Sequence, residues 1–148
     1  MSSSNINSLL LSRNNPSEII NIISKLKSNS AAGVDDISVR ILQSVSHVIA
    51  RPLSHIFNIS LSTSTFPNSA KLARVTPILK AGATDDLSND IPISVLTSLS
   101  KIIEKLTYSR TVHFLNNNNI ICQNQFEFRK NCSTSMAGLD VIDLLLLV

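Results

Sequence analysis

A chain of 148 residues has the length of one domain and can bury about two-thirds of the surface its unfolded form exposes. Hydrophobic residues make up 43% and charged residues 16% of it, a balance that excludes intrinsic disorder. The 3 glycines form neither G-x-G-x-x-G nor G-x-x-x-x-G-K-[ST], which excludes a glycine-rich phosphate cradle. The net charge of +3 permits a nucleic-acid partner without requiring one.

Residues 1–14 are rich in Ser and Asn, lack periodicity and read as a loose leader. Asn15, Pro16 and Glu18 then stand as N-cap, first helical residue and capping-box partner. Ile19, Ile22, Ile23 and Leu26 follow as one apolar stripe of a helix that ends within residues 27–32. Gly33-Val34-Asp35-Asp36 reads as a turn and Ser38 as the cap of a second helix, with Ile41, Leu42, Val45 and Ile49 on its inner face. Pro52 starts a further helix with Leu53, Ile56, Phe57 and Leu61 inward, broken by Thr63–Ser69. Leu72–Leu79 reads as a strand, confined to an edge or bent by Pro77. Residues 81–89 form a polar, acidic loop. Leu99, Ile102, Ile103 and Leu106 mark a helix running to about Leu115, closed by Asn116–Asn119. A short strand is expected within Ile120–Phe128 and a last helix over Thr134–Val148. The fold class is α/β or α+β, mostly helical.

The start carries no basic, apolar signal segment, and Leu144–Val148 is too short to span a bilayer. Cys122 and Cys132 fit no zinc spacing and read as unreactive thiols of a reduced compartment. The chain therefore reads as intracellular, nuclear or cytoplasmic, neither secreted nor membrane-bound. Asp35-Asp36 and Asp85-Asp86 are adjacent carboxylates that point in alternating directions, so turn and cap roles outweigh metal binding. Asp140 and Asp143 share a solvated helix face. His47, His55 and His113 have no second ligand at metal spacing. The cations offer more: Lys71, Arg74 and Lys80 surround the strand, and Arg129-Lys130 follow Phe126 and Phe128. Cations interleaved with aromatics can hold phosphates and bases, against a plain reading as solvated charge.

Five pieces in order turn this generic picture into a resemblance. Ala32-Gly33-Val34-Asp35-Asp36-Ile37 resembles P-G-P-D-G-I. Phe66-Pro67, Lys71, Ala73, Val75, Pro77-Ile78, Lys80 and Gly82 resemble F-P-x-x-W-K-x-A-x-V-x-P-I-x-K-x-G. Asn89 with Pro92-Ile93-Ser94-Val95-Leu96 resembles N-Y-R-P-I-S-L-L. Lys101, Glu104, Lys105, Arg110 and Phe114-Leu115 fit a K-x-x-E-K helix. Gln125-Phe126, Phe128-Arg129 and Ser133-Thr134 fit Q-F-G-F-R-x-G-x-S-T. Together, over nearly all of residues 17–148, they resemble the fingers and early palm of reverse transcriptases from non-LTR, jockey-like retrotransposons.

That resemblance implies an incomplete right-hand polymerase: a leader over residues 1–14, and a partial reverse transcriptase domain over 15–148 that stops before the catalytic aspartates. It implies RNA template and DNA primer as partners, together with the palm and thumb segments of a parent polymerase. Lys80 is expected to face nucleotide phosphates and Arg129 and Lys130 to lie near template or backbone, and Arg74 and Lys71 complete the set of expected nucleotide- or nucleic-acid-binding residues. The full-length family enzyme is expected to use Mg2+, while this chain carries no cofactor or catalytic residue of its own. The departures are specific. The family arginine expected at the incoming triphosphate is Ile91, the glycine of Q-F-G-F-R is Glu127, the G-R before S-T is Asn131-Cys132, and the tryptophan is Ala70. Asp90 stands in place of the tyrosine. The changes at 90, 91, 127 and 132 are each one base from the family residue while the apolar stripes persist, as in a decaying element copy. Alternatives are a small non-catalytic RNA-binding or interaction protein, and an expressed relic without function.

Overall fold

The computed structural model describes residues 11–80, 89–122 and 124–146. They divide into two units, one ending at Thr111 and one running from Val112, and each is described by itself.

The first unit is built on helices. Asn15 caps α1 (Pro16–Ser24), accepting the Glu18 N–H at 2.9 Å, with Pro16 in the first turn. Pro costs nothing there because that N–H has no helical partner in any case. The capping box is only half made, since the Glu18 carboxylate turns to Arg110. Helix α1 ends at Ser24, short of the expected 27–32 stretch. The Gln43 side-chain amide donates to the carbonyls of Ile23 and Leu26 at 3.2 and 3.0 Å, satisfying orphan acceptors at the helix end. Ser38 caps α2 (Val39–Ser44), but its inner face is Val39 and Leu42 rather than Ile41 and Val45, which are 54% and 38% exposed. Two overlapping i, i+3/i+4 stripes fit a six-residue helix, and its length is too small for periodicity to choose between them.

Helix α3 (Ser46–Thr63) holds Pro52 in its interior, where the sequence predicts a start. The helix tolerates the N–H that proline lacks at this point. Leu53 and Phe57 are buried as expected, while Ile56 is exposed. Ser64, left-handed at φ 52°, ends it. After a 3-10 turn over Asn68–Lys71 comes β1 (Ala73–Leu79), paired antiparallel with β2 (Asp90–Leu96) in a two-stranded sheet. Pro92 removes a ladder donor, so β2 carries no plain strand signal in the sequence. The register resolves the conflict. The Lys80 N–H donates to the Asn89 carbonyl at 3.0 Å, so hydrogen-bonded pairs fall on even-numbered β1 residues. Pro77 and Pro92 oppose each other at a non-hydrogen-bonded pair, where neither needs an N–H.

Helix α4 (Ser98–Asn117) begins behind Thr97, whose hydroxyl accepts the Ser100 N–H. Its Ile102, Ile103 and Leu106 close the core with Ile19, Ile23, Leu26, Val39, Leu42, Ala50, Leu53 and Phe57. Ser98 and Ser100 are fully buried but satisfied, donating to the carbonyls of Ile37 and Ala70 at 2.8 and 2.7 Å. The end of the presumed loose leader is also anchored. Buried Asn14 exchanges hydrogen bonds with Asn58, and Arg110 donates to the carbonyls of Ser12 and Arg13.

In the second unit, α4 stops at Asn117 within the Asn116–Asn119 run. The described residues of Ile120–Phe128 form turns, correcting the strand expected there. Helix α5 (Thr134–Leu146) follows, its start marked by the Ser133 hydroxyl accepting the Met136 N–H. The loop expected over 81–89 lies outside the described residues up to Ser88. Among the described residues the arrangement is mostly helical with one two-stranded sheet, the α+β class expected from the sequence.

Candidate nucleic-acid interface

The β1–β2 hairpin is exposed along most of both strands. Side chains alternate across a strand, and cross-strand partners share a face. One face therefore carries Arg74, Thr76 and Ile78 of β1 against Val95, Ile93 and Ile91 of β2, and the backbone bond from Lys80 to Asn89 continues the same register one step past the strand ends. Ile91 opposes Ile78 and lies diagonal to Lys80, within reach of a long side chain. The position where the resemblance implies an arginine is thus a neighbour of Lys80 on the same face. In this chain the place is taken by Ile91, an apolar side chain that adds no charge beside Lys80.

The three cations around the strand do not converge. Lys80 is exposed at the far end of β1. Arg74 lies six residues away, about 20 Å along an extended strand. Its guanidinium pairs with the Asp36 carboxylate at 2.8 Å, the two side chains 47% and 77% exposed. Lys71 donates to the Asn68 amide oxygen at 3.0 Å, inside its own turn.

Arg129 and Lys130 belong to the second unit. Phe126 is half-buried, whereas Phe128 is 91% exposed with φ 60°. A bulky aromatic in the left-handed region is a strained placement. Arg129 donates to the Cys122 carbonyl at 3.3 Å, and Lys130 projects from the surface. Asn131, at φ 64°, stands where the family pattern has glycine, and asparagine is the side chain best able to replace glycine in that conformation. Glu127, the other glycine replacement, has no positive φ, so its backbone accepts a side chain. Glu127 helps line a concavity of about 680 Å³ with Asn124, Phe126, Phe128, Cys132 and Ser133.

Among the described residues no group of three or more His, Cys, Asp or Glu could hold a metal ion. Asp35 accepts the Ile37 N–H at 3.2 Å and Asp36 pairs with Arg74, so the first carboxylate closes the turn and the second ties it to β1. Asp140 and Asp143 are exposed on α5. The described residues bring together no converging carboxylates of the kind that hold Mg2+ in a nucleotidyl-transfer centre. His113 faces the Asn117 amide at 2.9 Å, and both cysteines are free. Asp85-Asp86 lies outside the described residues. Asp36 escaped the sequence reading as a functional partner, because a pairing across 38 positions leaves no local signal.

No protein-family model matches the chain. The RNA-directed DNA polymerase from mobile element jockey of Drosophila melanogaster is 34% identical over 123 residues, 82% of this chain. The probable RNA-directed DNA polymerases from transposon BS and transposon X-element of the same organism are each 30% identical, over 79% and 77% of this chain. The chain spans 13% of the length of these relatives. By sequence it is a relative of a segment of mobile-element RNA-directed DNA polymerases, and the jockey-like resemblance carried by the ordered motifs is borne out. No described helix is long and apolar enough to cross a membrane.

Proposed function

We propose that residues 15–148 are the fingers and early-palm portion of a non-LTR reverse transcriptase, serving an RNA template and a DNA primer. In this reading Lys80 faces the phosphates of the incoming nucleotide, and Arg129 and Lys130 lie along template or backbone. Arg74 and Lys71 act as supports at the base of the hairpin. The observation that carries the proposal is the hairpin register, which sets position 91 diagonal to Lys80. Phosphate recognition by paired cations needs that adjacency, and two motifs separate in the sequence acquire it through this pairing. Polymer synthesis needs carboxylate-held divalent ions, and the part assigned here to this segment is the holding of nucleic acid and nucleotide.

Titration of a fluorescent RNA–DNA hybrid across a salt series tests the reading on the 148-residue chain. Binding should weaken as salt rises, and Arg129→Gln with Lys130→Gln should reduce the salt slope by about 1 per lost phosphate contact. Ile91→Arg should tighten deoxynucleoside triphosphate binding about ten- to a hundredfold, the worth of one charged hydrogen bond. Salt-independent binding, or a triphosphate affinity indifferent to both Ile91→Arg and Lys80→Gln, sinks the assignment.

A further inference from the structure

The turn at Gly33–Asp36 touches both strands of the hairpin at one end. A Cβ added to Gly33 would lie 2.6 and 2.7 Å from the Thr97 Cα and N, and 2.9 Å from the Leu96 carbonyl carbon. Only glycine lets two backbones approach this closely. On the other strand, Arg74 reaches the Asp36 carboxylate at 2.8 Å. Arg74 pairs with Val95 and Ala73 with Leu96 in the ladder, so the two attachments grip the same end of the hairpin, one per strand. Around them, the Ser98 hydroxyl donates to the Ile37 carbonyl at 2.8 Å and the Lys101 ammonium to the Ala31 carbonyl at 2.9 Å. Asp36 itself is held at φ 54°, a conformation that Asp and Asn tolerate better than other side chains.

Beyond that end the described strand residues are mostly exposed. Val75 is 60% exposed and Ile93 42%. Lys80 stands at the opposite end, about 20 Å from Arg74 at an extended strand's rise per residue. A tilt of roughly 10° at the base moves a point that far out by about 3 Å. Displacements of about 1 Å are enough to cost a reacting pair two orders of magnitude in rate.

We propose that the Gly33–Asp36 turn is the clamp that sets the angle of the hairpin arm, with Gly33 and Asp36 as positioning residues for Lys80. Gly33 supplies the close backbone contact to β2. Asp36 supplies the charge that fixes β1 through Arg74. Exposed ion pairs are weak, so the close approach at Gly33 carries the larger share and the pair trims the angle. What the arm delivers rests on the reading of Lys80 above; the clamp itself does not.

Spin labels at Lys80→Cys and Arg51→Cys, in a Cys122→Ser, Cys132→Ser background of the full chain, report the distance from arm to helical body. The parent should give one narrow distribution. Gly33→Ala should shift or widen it by about 3 Å, the lever estimate for a strand of this length. Asp36→Asn keeps the left-handed backbone but removes the charge, and should widen the distribution by a smaller amount. Arg74→Gln should match it, and the double variant should add nothing further. Thermal unfolding of the helical body separates positioning from general stability. Widening with an unchanged midpoint for Asp36→Asn supports the clamp; widening only in step with a lowered midpoint overturns it, as does an unchanged distribution. If Gly33→Ala fails to fold, Asp36→Asn and Ser98→Ala decide the matter by the same criteria. Hybrid and triphosphate titrations of Lys80→Gln run alongside. Unchanged affinity there, with a widened arm in Asp36→Asn, removes the nucleotide reading and leaves the clamp standing.

Discussion

Helices α1 and α5 make an instructive pair. Both begin behind a side-chain cap, Asn15 in one and Ser133 in the other, and both carry an apolar stripe. In α1 that stripe disappears from solvent: Ile19 and Ile23 are 0% exposed. In α5 no described residue is buried, and Ile142 and Leu145 remain 52% and 69% exposed. Periodicity thus specifies a helix and a face, but it does not specify that a partner for the face exists nearby in the chain. The stability of the described molecule is therefore concentrated where α1 to α3, the turn at Leu26 and the first turns of α4 share eleven buried apolar residues.

The sharpest way to break this contrast is to truncate one residue of the shared core. Ile103 is 2% exposed within α4, and replacing it by Ala should destabilise the body by about 2–5 kcal/mol, the sum of lost burial and residual cavity. Urea unfolding followed by far-UV circular dichroism reads that loss. A change below about 1 kcal/mol would mean that the body is not the cooperative centre.

A second core element is polar. Arg110 is 11% exposed and places its two terminal nitrogens on the two Glu18 oxygens at 3.0 Å each, while also donating to the Ser12 and Arg13 carbonyls. Removing it strands a carboxylate that is 31% exposed, so the partner regains some water. Arg110→Ala should then cost about 1–3 kcal/mol, less than the core truncation. Arg110→Lys should recover little, because an ammonium cannot reproduce the two-pronged geometry. Full rescue by lysine in the same urea experiment would reduce the contact to simple charge.

How much of this the sequence discloses follows from the range of each signal. The α1 cap and stripe, the α4 stripe, the turn at residues 33–36 and β1 are all encoded within about one helical heptad or one strand, and all are legible. What fails is non-local or too short. Glu18 reads as a capping-box partner, yet its carboxylate serves Arg110 92 positions away. The α2 face is ambiguous over six residues. Pro52 reads as a start because its missing N–H normally breaks a helix, and here the surrounding packing overrides that preference. At the site, Lys80, Arg129 and Lys130 were picked out from sequence by charge and pattern, and the structure leaves the first exposed at one end of β1 and the other two in the second unit. The adjacency of position 91 to Lys80 depends on strand register, and the Asp36–Arg74 clasp on tertiary contact, so neither has a sequence signal.

Between these extremes lies the α1 cap itself. Asn15→Ala removes the acceptor of the Glu18 N–H and should cost about 0.5–2 kcal/mol, the usual range for a lost N-cap. Asn15→Ser should retain most of it, since a hydroxyl accepts the same bond. The urea midpoint of the pair distinguishes a cap from a residue that merely precedes a helix.

The smallest effect tests the other half of the comparison. Leu145 is among the most exposed large apolar residues of α5. If that helix face contributes nothing to folding, Leu145→Ala removes no burial and leaves no cavity, and its cost stays within about 0.5 kcal/mol. Alanine also has the higher helix propensity, so the sign is free to be slightly stabilising. The same side-chain deletion that costs several kcal/mol in α4 should therefore be nearly silent in α5. A loss above about 1 kcal/mol on Leu145→Ala would show that the α5 stripe is buried in solution, and would move the second unit from the exposed side of the comparison to the packed one.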